Sequence, residues 1–363
     1  MKKALALLLS IAMVLALAAC GGASSTPAAS TPTESTPAAD GSAAPAGDFA
    51  DAPHITIQFA ENQASNGPMG EYAEVFAKDL AERTGGTVEM SLYFDALLGD
   101  EATVIGMVEA GTVEFTRVNL AALQATDPEV GVLTMPYIYS DAIHCYNVMN
   151  SDVGTEILSH VSDYGMQGLR LFGGHPTEAG GALSRGFYSS TPINGLADLA
   201  GKKIRVQESD VVIAMVEALG GVATPMAYGE VFQALQTGVV DIAENDPMSY
   251  VMSGHYEVAK YYTMDQHQIS PSIYLMSQKC YDAMTEAQRE VFMECLDEYL
   301  ANVTEATAQM VAEYRQQALD AGCEFIEVDT SEFQAACESV YEKYPEYADY
   351  ITRIKAVSAE PQA

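Results

Sequence analysis

With 363 residues, 48% of them apolar, the chain is long enough for two domains, and disorder over most of its length is excluded. Its formal net charge of −33, from 17 basic and 50 acidic side chains, argues against nucleic acid or anionic lipid surfaces as partners. An anionic ligand would be repelled by this overall field and must be met by local positive groups, for which the chain has only eight arginines.

Residues 1–19 read as a secretory signal, with Lys2-Lys3 followed by an apolar run too short for a stable membrane span. The run ends Leu17-Ala18-Ala19-Cys20-Gly21, which resembles a bacterial lipobox. In that pattern Cys20 is lipidated and becomes the new N-terminus, so the expected location is the extracytoplasmic face of the cell membrane. Residues 20–51, rich in Ser, Thr, Pro and Ala, cannot bury enough surface to offset ordering entropy and read as a disordered tether. Beyond Cys20 stand Cys145, Cys280, Cys295, Cys323 and Cys337. Five is odd, so at least one thiol is free, and no spacing suggests a metal.

Residues 54–60 alternate as a strand. Gly67-Pro68 opens a helix through residue 81 with Met69, Tyr72, Phe76 and Leu80 on one face, ended by Gly85-Gly86. A strand over 88–94, a helix over 100–110 and a strand over 113–118 complete a β-α-β-α-β opening, which implies a mostly parallel sheet. Ligands in such sheets gather beyond the carboxyl ends of strands, which places Asn62, Arg117 and Asn119 near a crevice. Helical segments follow over 141–163, then a strand over 168–172. Residues 185–247 repeat the alternation, with a strand over 203–206, two short helices, and a strand over 239–243 that ends at Glu244-Asn245. A strand over 274–277 returns toward the first half. Residues 285–321 contain neither Pro nor Gly and show helical periodicity. That is long for one globular helix, so it either breaks or lies across both halves. A strand over 323–328 and two helices finish the chain.

Gly201-Lys202-Lys203-Ile204-Arg205-Val206, then Pro225-Met226-Ala227-Tyr228-Gly229-Glu230, then Leu235-Gln236-Thr237-Gly238 carry a resemblance. Together with Leu98-Gly99-Asp100 and Leu133-Thr134-Met135-Pro136-Tyr137, they resemble the solute-binding proteins of tripartite ATP-independent periplasmic (TRAP) transporters, C4-dicarboxylate-binding type. The likeness covers roughly residues 54–345. It implies an α/β, two-lobed periplasmic-binding-protein-like fold with hinge strands and a long helix shared by both lobes. Lobe 1 would take 53–182 with 272–310, lobe 2 would take 183–271 with 311–345, and 346–363 would form a C-terminal helix and tail. A small organic acid and the TRAP membrane permease subunits are the implied partners, with the membrane reached through the lipid anchor. No cofactor, metal or nucleic acid is expected.

The resemblance makes Arg205 a carboxylate clamp; on pattern alone it reads as an ion pair tying its strand to a helix. Arg185 matches a second ligand arginine or is a solvated loop residue. Asn245 matches a pocket asparagine or is a helix cap. Tyr228 covers the ligand or belongs to the core, and Arg117 enters the cleft or holds a lobe edge. Glu208 accepts from a ligand hydroxyl or amine, or pairs with a neighbouring base. Asn119, Ala122 and Glu208 depart from the sialic-acid-binding branch of the family.

Catalysis is the rival class, but G-x-S-x-G, H-E-x-x-H, Walker and G-x-G-x-x-G motifs are all missing from the sequence. Two other readings remain at this stage: a sensing lipoprotein that feeds a signalling receptor, and the binding lipoprotein of an ATP-driven importer.

Overall fold

A computed structural model describes residues 49–177 and 184–361. The expected signal, Cys20 and the tether up to residue 48 lie outside the described residues; Phe49, expected in the tether, is buried. The strands in chain order are β1 (Ile55–Ala60), β2 (Val88–Tyr93), β3 (Phe115–Asn119), β4 (Met166–Phe172), β5 (Ser184–Ser189) and β6 (Lys203–Val206). They continue as β7 (Val222–Pro225), β8 (Ile242–Asn245), β9 (Tyr261–Ile269), β10 (Ser272–Ser277) and β11 (Glu324–Ile326).

Two sheets result, one in the order β2-β1-β3-β10-β4 and the other β11-β9-β5-β8-β6-β7. The parallel pairings of β1 with β2 and β3, and of β6 with β7 and β8, follow from the helical crossovers read in the sequence. The expectation of a mostly parallel sheet holds, with one strand in each sheet running against all the others. β10 runs antiparallel to β3 and β4, and β5 runs antiparallel to β8 and β9. The cause is connectivity. β9 passes into β10 through Ser270-Pro271, a step too short for a crossover, so the chain enters the first sheet from the second and lies against its direction.

The helix Pro68–Arg83 buries Ala73, Phe76 and Leu80, three to four residues apart, as an amphipathic stripe requires. Gly85 (φ +60°) and Gly86 (φ +79°) end it in the left-handed region, where a side chain would be strained. The long helix is one unbroken element, Glu286–Asp320. Its first half buries Phe292, Cys295, Leu296, Tyr299 and Val303 among Phe76, Phe115 and Tyr274 of the first sheet's core. Near its end Ala318 packs with Tyr250, Tyr262 and Cys323 of the second. A capping box starts it: the Thr285 side chain accepts from the Gln288 N–H while the Gln288 side chain accepts from Thr285 N–H. Thr285→Ala should therefore cost about 1 kcal/mol in chemical denaturation.

The C-terminal helix Ala348–Ala356 lies on the helices before β4: Ile354 carbonyl meets His144 Nε2 at 2.9 Å, and Asn147 Nδ2 donates to Ser358 carbonyl at 2.8 Å. All five described cysteines are free and buried. No described helix is long and apolar enough to cross a membrane.

Candidate functional site

The carboxyl ends of β1, β3 and β4 from one sheet and of β6 and β8 from the other converge on a cavity of about 110 Å³. Asn62, Arg117 and Asn119 line it from the first sheet, and Arg185, Arg205, Tyr228 and Asn245 from the second. Loops at strand ends have no ladder partner to satisfy, which leaves their polar groups available to a ligand.

The three arginines are all nearly inaccessible, at 5% exposure or less, yet they are partnered very differently. Arg117 makes a two-pronged contact with Glu61, Nε to Oε2 at 2.7 Å and Nη2 to Oε1 at 2.6 Å, and its Nη1 donates to Ser272 Oγ at 2.7 Å. Burial opposes its charge, but the Glu61 carboxylate more than compensates and holds the guanidinium above its usual range.

Arg185 is similarly committed. Its Nη2 donates to Glu244 Oε1 at 2.8 Å, its Nε to the other oxygen of the same carboxylate, and its Nη1 to Asn245 Oδ1 at 2.6 Å. An irregular register allows this. Between Arg185 and Phe187 the pairing with β9 jumps from Gln268 to Thr263, so residues 264–267 bulge. Gly186 sits at the jump, where a Cβ would come within 2.3 Å of the Thr263 carbonyl. The bulge buries Asp265 and His267 completely. His267 Nδ1 meets Asp265 Oδ2 at 2.9 Å, and Nε2 lies 3.4 Å from Glu244 Oε2.

Arg205 has no such partner. Its Nε and Nη2 donate only to the Met226 carbonyl, at 3.2 and 2.9 Å, and its guanidinium lies 5.9 Å from the centre of the Tyr228 ring. No carboxylate reaches it within ion-pair distance among the described residues. Burial, partly offset by Glu244 and reinforced by Arg185, lowers its affinity for its proton. A buried, unpaired guanidinium costs folding energy and is ready to receive an anion.

The family model for bacterial extracellular solute-binding protein, family 7 (DctP), matches residues 59–348. The C4-dicarboxylate-binding periplasmic protein DctP of Rhodobacter capsulatus is 31% identical over 324 residues, spanning 84% of this chain and 92% of that one. The TRAP periplasmic solute binding protein of Pseudomonas putida F1, with bound D-glucuronate, superposes at TM-score 0.79 with 34% identity, over 85% of this chain and 99% of that one. A Xanthobacter autotrophicus Py2 counterpart with bound β-D-galacturonate gives 0.78 and 32%, over 83% and 100%. The chain belongs to the DctP family of TRAP solute-binding proteins.

This family consists of transport proteins, and its two-lobed α/β architecture is the one found here. Around this cavity the residues expected from the sequence are engaged to different degrees. Asn119 lines the cavity, but its side chain is engaged: Oδ1 accepts from Ala121 N–H at 2.9 Å, and Nδ2 donates to Ser270 Oγ at 2.8 Å. Asn245 is not the cap of the following helix; Asp246 is, with Oδ1 accepting from Ser249 N–H at 2.8 Å. Tyr228 hydrogen-bonds through its hydroxyl to Ser253 Oγ. Glu208 is exposed and stands in an adjoining groove with Ala227 and Gly229, outside the central cavity.

Sequence reasoning passed over Glu101 and Gln207, which both line the cavity. Glu101 follows the N-cap Asp100, where an acidic residue ordinarily serves the helix dipole, so nothing marked it as a site group. Among the described residues no group of His, Cys, Asp or Glu is arranged to hold a metal ion.

The buried network makes stability pH-dependent. Burial disfavours the His267 imidazolium, but Asp265 and Glu244 prevail and push it from 6.5 up to about 9. A raised folded value gives stabilisation that is complete below pH 6.5 and lost as pH rises through about 9. Burial also opposes the Glu244 carboxylate, yet Arg185 and His267 hold it down at about 2, so its contribution is lost only as pH falls from 4.5 through that value. Between about pH 6.5 and 9.5 the wild-type Tm, followed by circular dichroism, should fall more steeply than that of His267→Gln. Equal slopes would contradict the assignment.

Proposed function

We propose that this DctP-family protein is the lipid-anchored binding component of a TRAP transporter, and that it captures a sugar acid of the hexuronate class and delivers it to the membrane permease. The observation that carries the reading is Arg205, a buried guanidinium at the cavity wall with no carboxylate partner among the described residues. Arg205 takes the ligand carboxylate through two parallel hydrogen bonds. Tyr228 covers it, and Arg185 and Asn245, fixed to each other, present donors beside it. Asn62, Asn119 and Arg117 form the facing wall, and Glu208 stands at the outer mouth.

Residues 53–182 with 272–310 form one lobe and 183–271 with 311–345 the other, followed by the C-terminal helix and tail over 346–363, of which Ile354, Ser358 and Glu360 meet His144 and Asn147 of the first. Closing them over the ligand shifts the population if the ligand favours the closed form by about 5 kcal/mol. Charge-assisted hydrogen bonds of roughly 1.5–3 kcal/mol each are of that size. The uronates bound by the Pseudomonas putida and Xanthobacter autotrophicus proteins support the sugar-acid class. Cys20, lipidated and then exposed as the N-terminus by signal removal, anchors the tether at the extracytoplasmic face; Cys20→Ala should release the protein from membranes and abolish labelling with a fatty acid.

A thermal-shift titration tests the ligand class. At a hundred times its dissociation constant a ligand adds about 2.7 kcal/mol, or about 5 °C at this chain length. D-glucuronate or D-galacturonate should give that shift, while D-glucose and D-galactose give none. A shift with the neutral hexoses alone would overturn the reading.

A further inference from the structure

Beyond Arg205, the cavity holds groups that accept hydrogen bonds and none that would balance a second negative charge. Arg117 is neutralised by Glu61, and Arg185 and His267 by Glu244 and Asp265. Against the single unpaired guanidinium stand two carboxyl groups on the cavity wall, Glu101 and Asp246. Asp246 is engaged by Ser249, through backbone and hydroxyl. Glu101 is different. Only its Oε1 is engaged, by the Asn119 N–H at 2.7 Å, and no basic side chain pairs with it among the described residues. Beside it Gln207, at 9% exposure, has a buried amide oxygen that receives no hydrogen bond from the described residues. Buried acceptors are ordinarily satisfied, so the Gln207 oxygen calls for a donor from a ligand, and the half-buried Glu101 carboxyl beside it turns its second oxygen to the same cavity.

A hydroxyl group supplies such a donor, whereas a carboxylate supplies only further acceptors and a like charge. We propose that Glu101 sets the charge class of the ligand: its carboxyl receives ligand hydroxyls, with Gln207 beside it, and turns away a second carboxylate, so the site takes a polyhydroxylated monocarboxylate and rejects the matching dicarboxylate. The proposal rests on the solute-binding reading above and sharpens it. It separates this chain from the Rhodobacter capsulatus relative, whose name specifies a C4-dicarboxylate. Rejection works because desolvating an unpaired charge beside a like charge costs far more than the contact returns.

The test is calorimetric titration at about pH 8, chosen high because burial raises the Glu101 carboxyl above its usual range, of the wild type and Glu101→Gln with two acid pairs. D-glucuronate is paired with D-glucarate, its diacid, and D-glycerate with tartronate, the diacid of the same three-carbon skeleton. The substituted amide keeps an acceptor for the Asn119 N–H and removes the charge. The expected result is that wild type prefers the monoacid of a pair at least a hundredfold, and that Glu101→Gln narrows the gap at least tenfold, chiefly by admitting the diacid. A diacid bound within threefold of its monoacid by wild type, or a gap that Glu101→Gln leaves unchanged, overturns the proposal. Silence of D-glucuronate with charge-discriminated binding of D-glycerate removes the hexuronate reading and keeps this one. Binding of tartronate or D-glucarate alone, or of no acid at all, removes both.

Discussion

Arg205→Met should abolish carboxylate binding while leaving the melting temperature equal to or above that of wild type. Two charge-assisted hydrogen bonds and an unpaired ligand carboxylate are at stake, together about 3–5 kcal/mol, or roughly a hundredfold to a few thousandfold in affinity. The fold loses little, because inside the protein Arg205 donates only to the Met226 carbonyl. Its desolvation is a standing cost in the unliganded state that an apolar side chain of similar length relieves. Calorimetric titration with D-glucuronate and a circular dichroism melt check the two halves separately. A variant that binds normally, or one that melts well below wild type, would return Arg205 to the role of a structural ion.

Arg185→Met should behave in the opposite way. Its guanidinium engages Glu244 with both ends of the carboxylate, and removing it strands a fully buried negative charge with only His267 at 3.4 Å for compensation. Breaking such a pair from one side costs about 3–5 kcal/mol, which chemical denaturation would register directly. Asn245 Oδ1 also loses the Arg185 donor and keeps the Asp246 N–H, so its side chain is less firmly held and ligand affinity falls as well. Arg185→Met paired with Glu244→Met removes both charges and should recover much of the stability but not the affinity. If Arg185→Met alone were as stable as wild type, the network would not hold the strand ends as described.

These contrasting arginines show what could be read from the sequence and what could not. The elements were legible because their signals are local: Phe76 and Leu80 mark a helical face, Gly85-Gly86 its end, and the strand over 203–206 coincides with β6. Arg205 was legible through the motif around it. Its solitude was not, since the lack of a partner is a property of the whole fold. Likewise nothing in the chain joins Arg185 to Glu244, 59 positions away, or His267 to both carboxylates beside it. Pairings at that separation are set by register, and here the register turns on a bulge at residues 264–267 that no turn signal announces. The strand β10 is legible as one that returns to the first sheet, but its antiparallel direction is not, because that depends on which sheet the chain has just left. Glu101 was hidden by its ordinary position in the first turn of a helix, where only the facing cavity gives it another meaning.

The position of a bound ligand carboxylate distinguishes Arg205 from the two paired arginines most directly. A crystal structure of the protein grown with D-glucuronate measures this directly. Both carboxylate oxygens should lie within about 3 Å of Arg205 nitrogens, with Arg185 still on Glu244 and Arg117 still on Glu61. A carboxylate bound instead at Arg185 or Arg117, with its glutamate displaced and Arg205 left on the Met226 carbonyl, would contradict that role for Arg205.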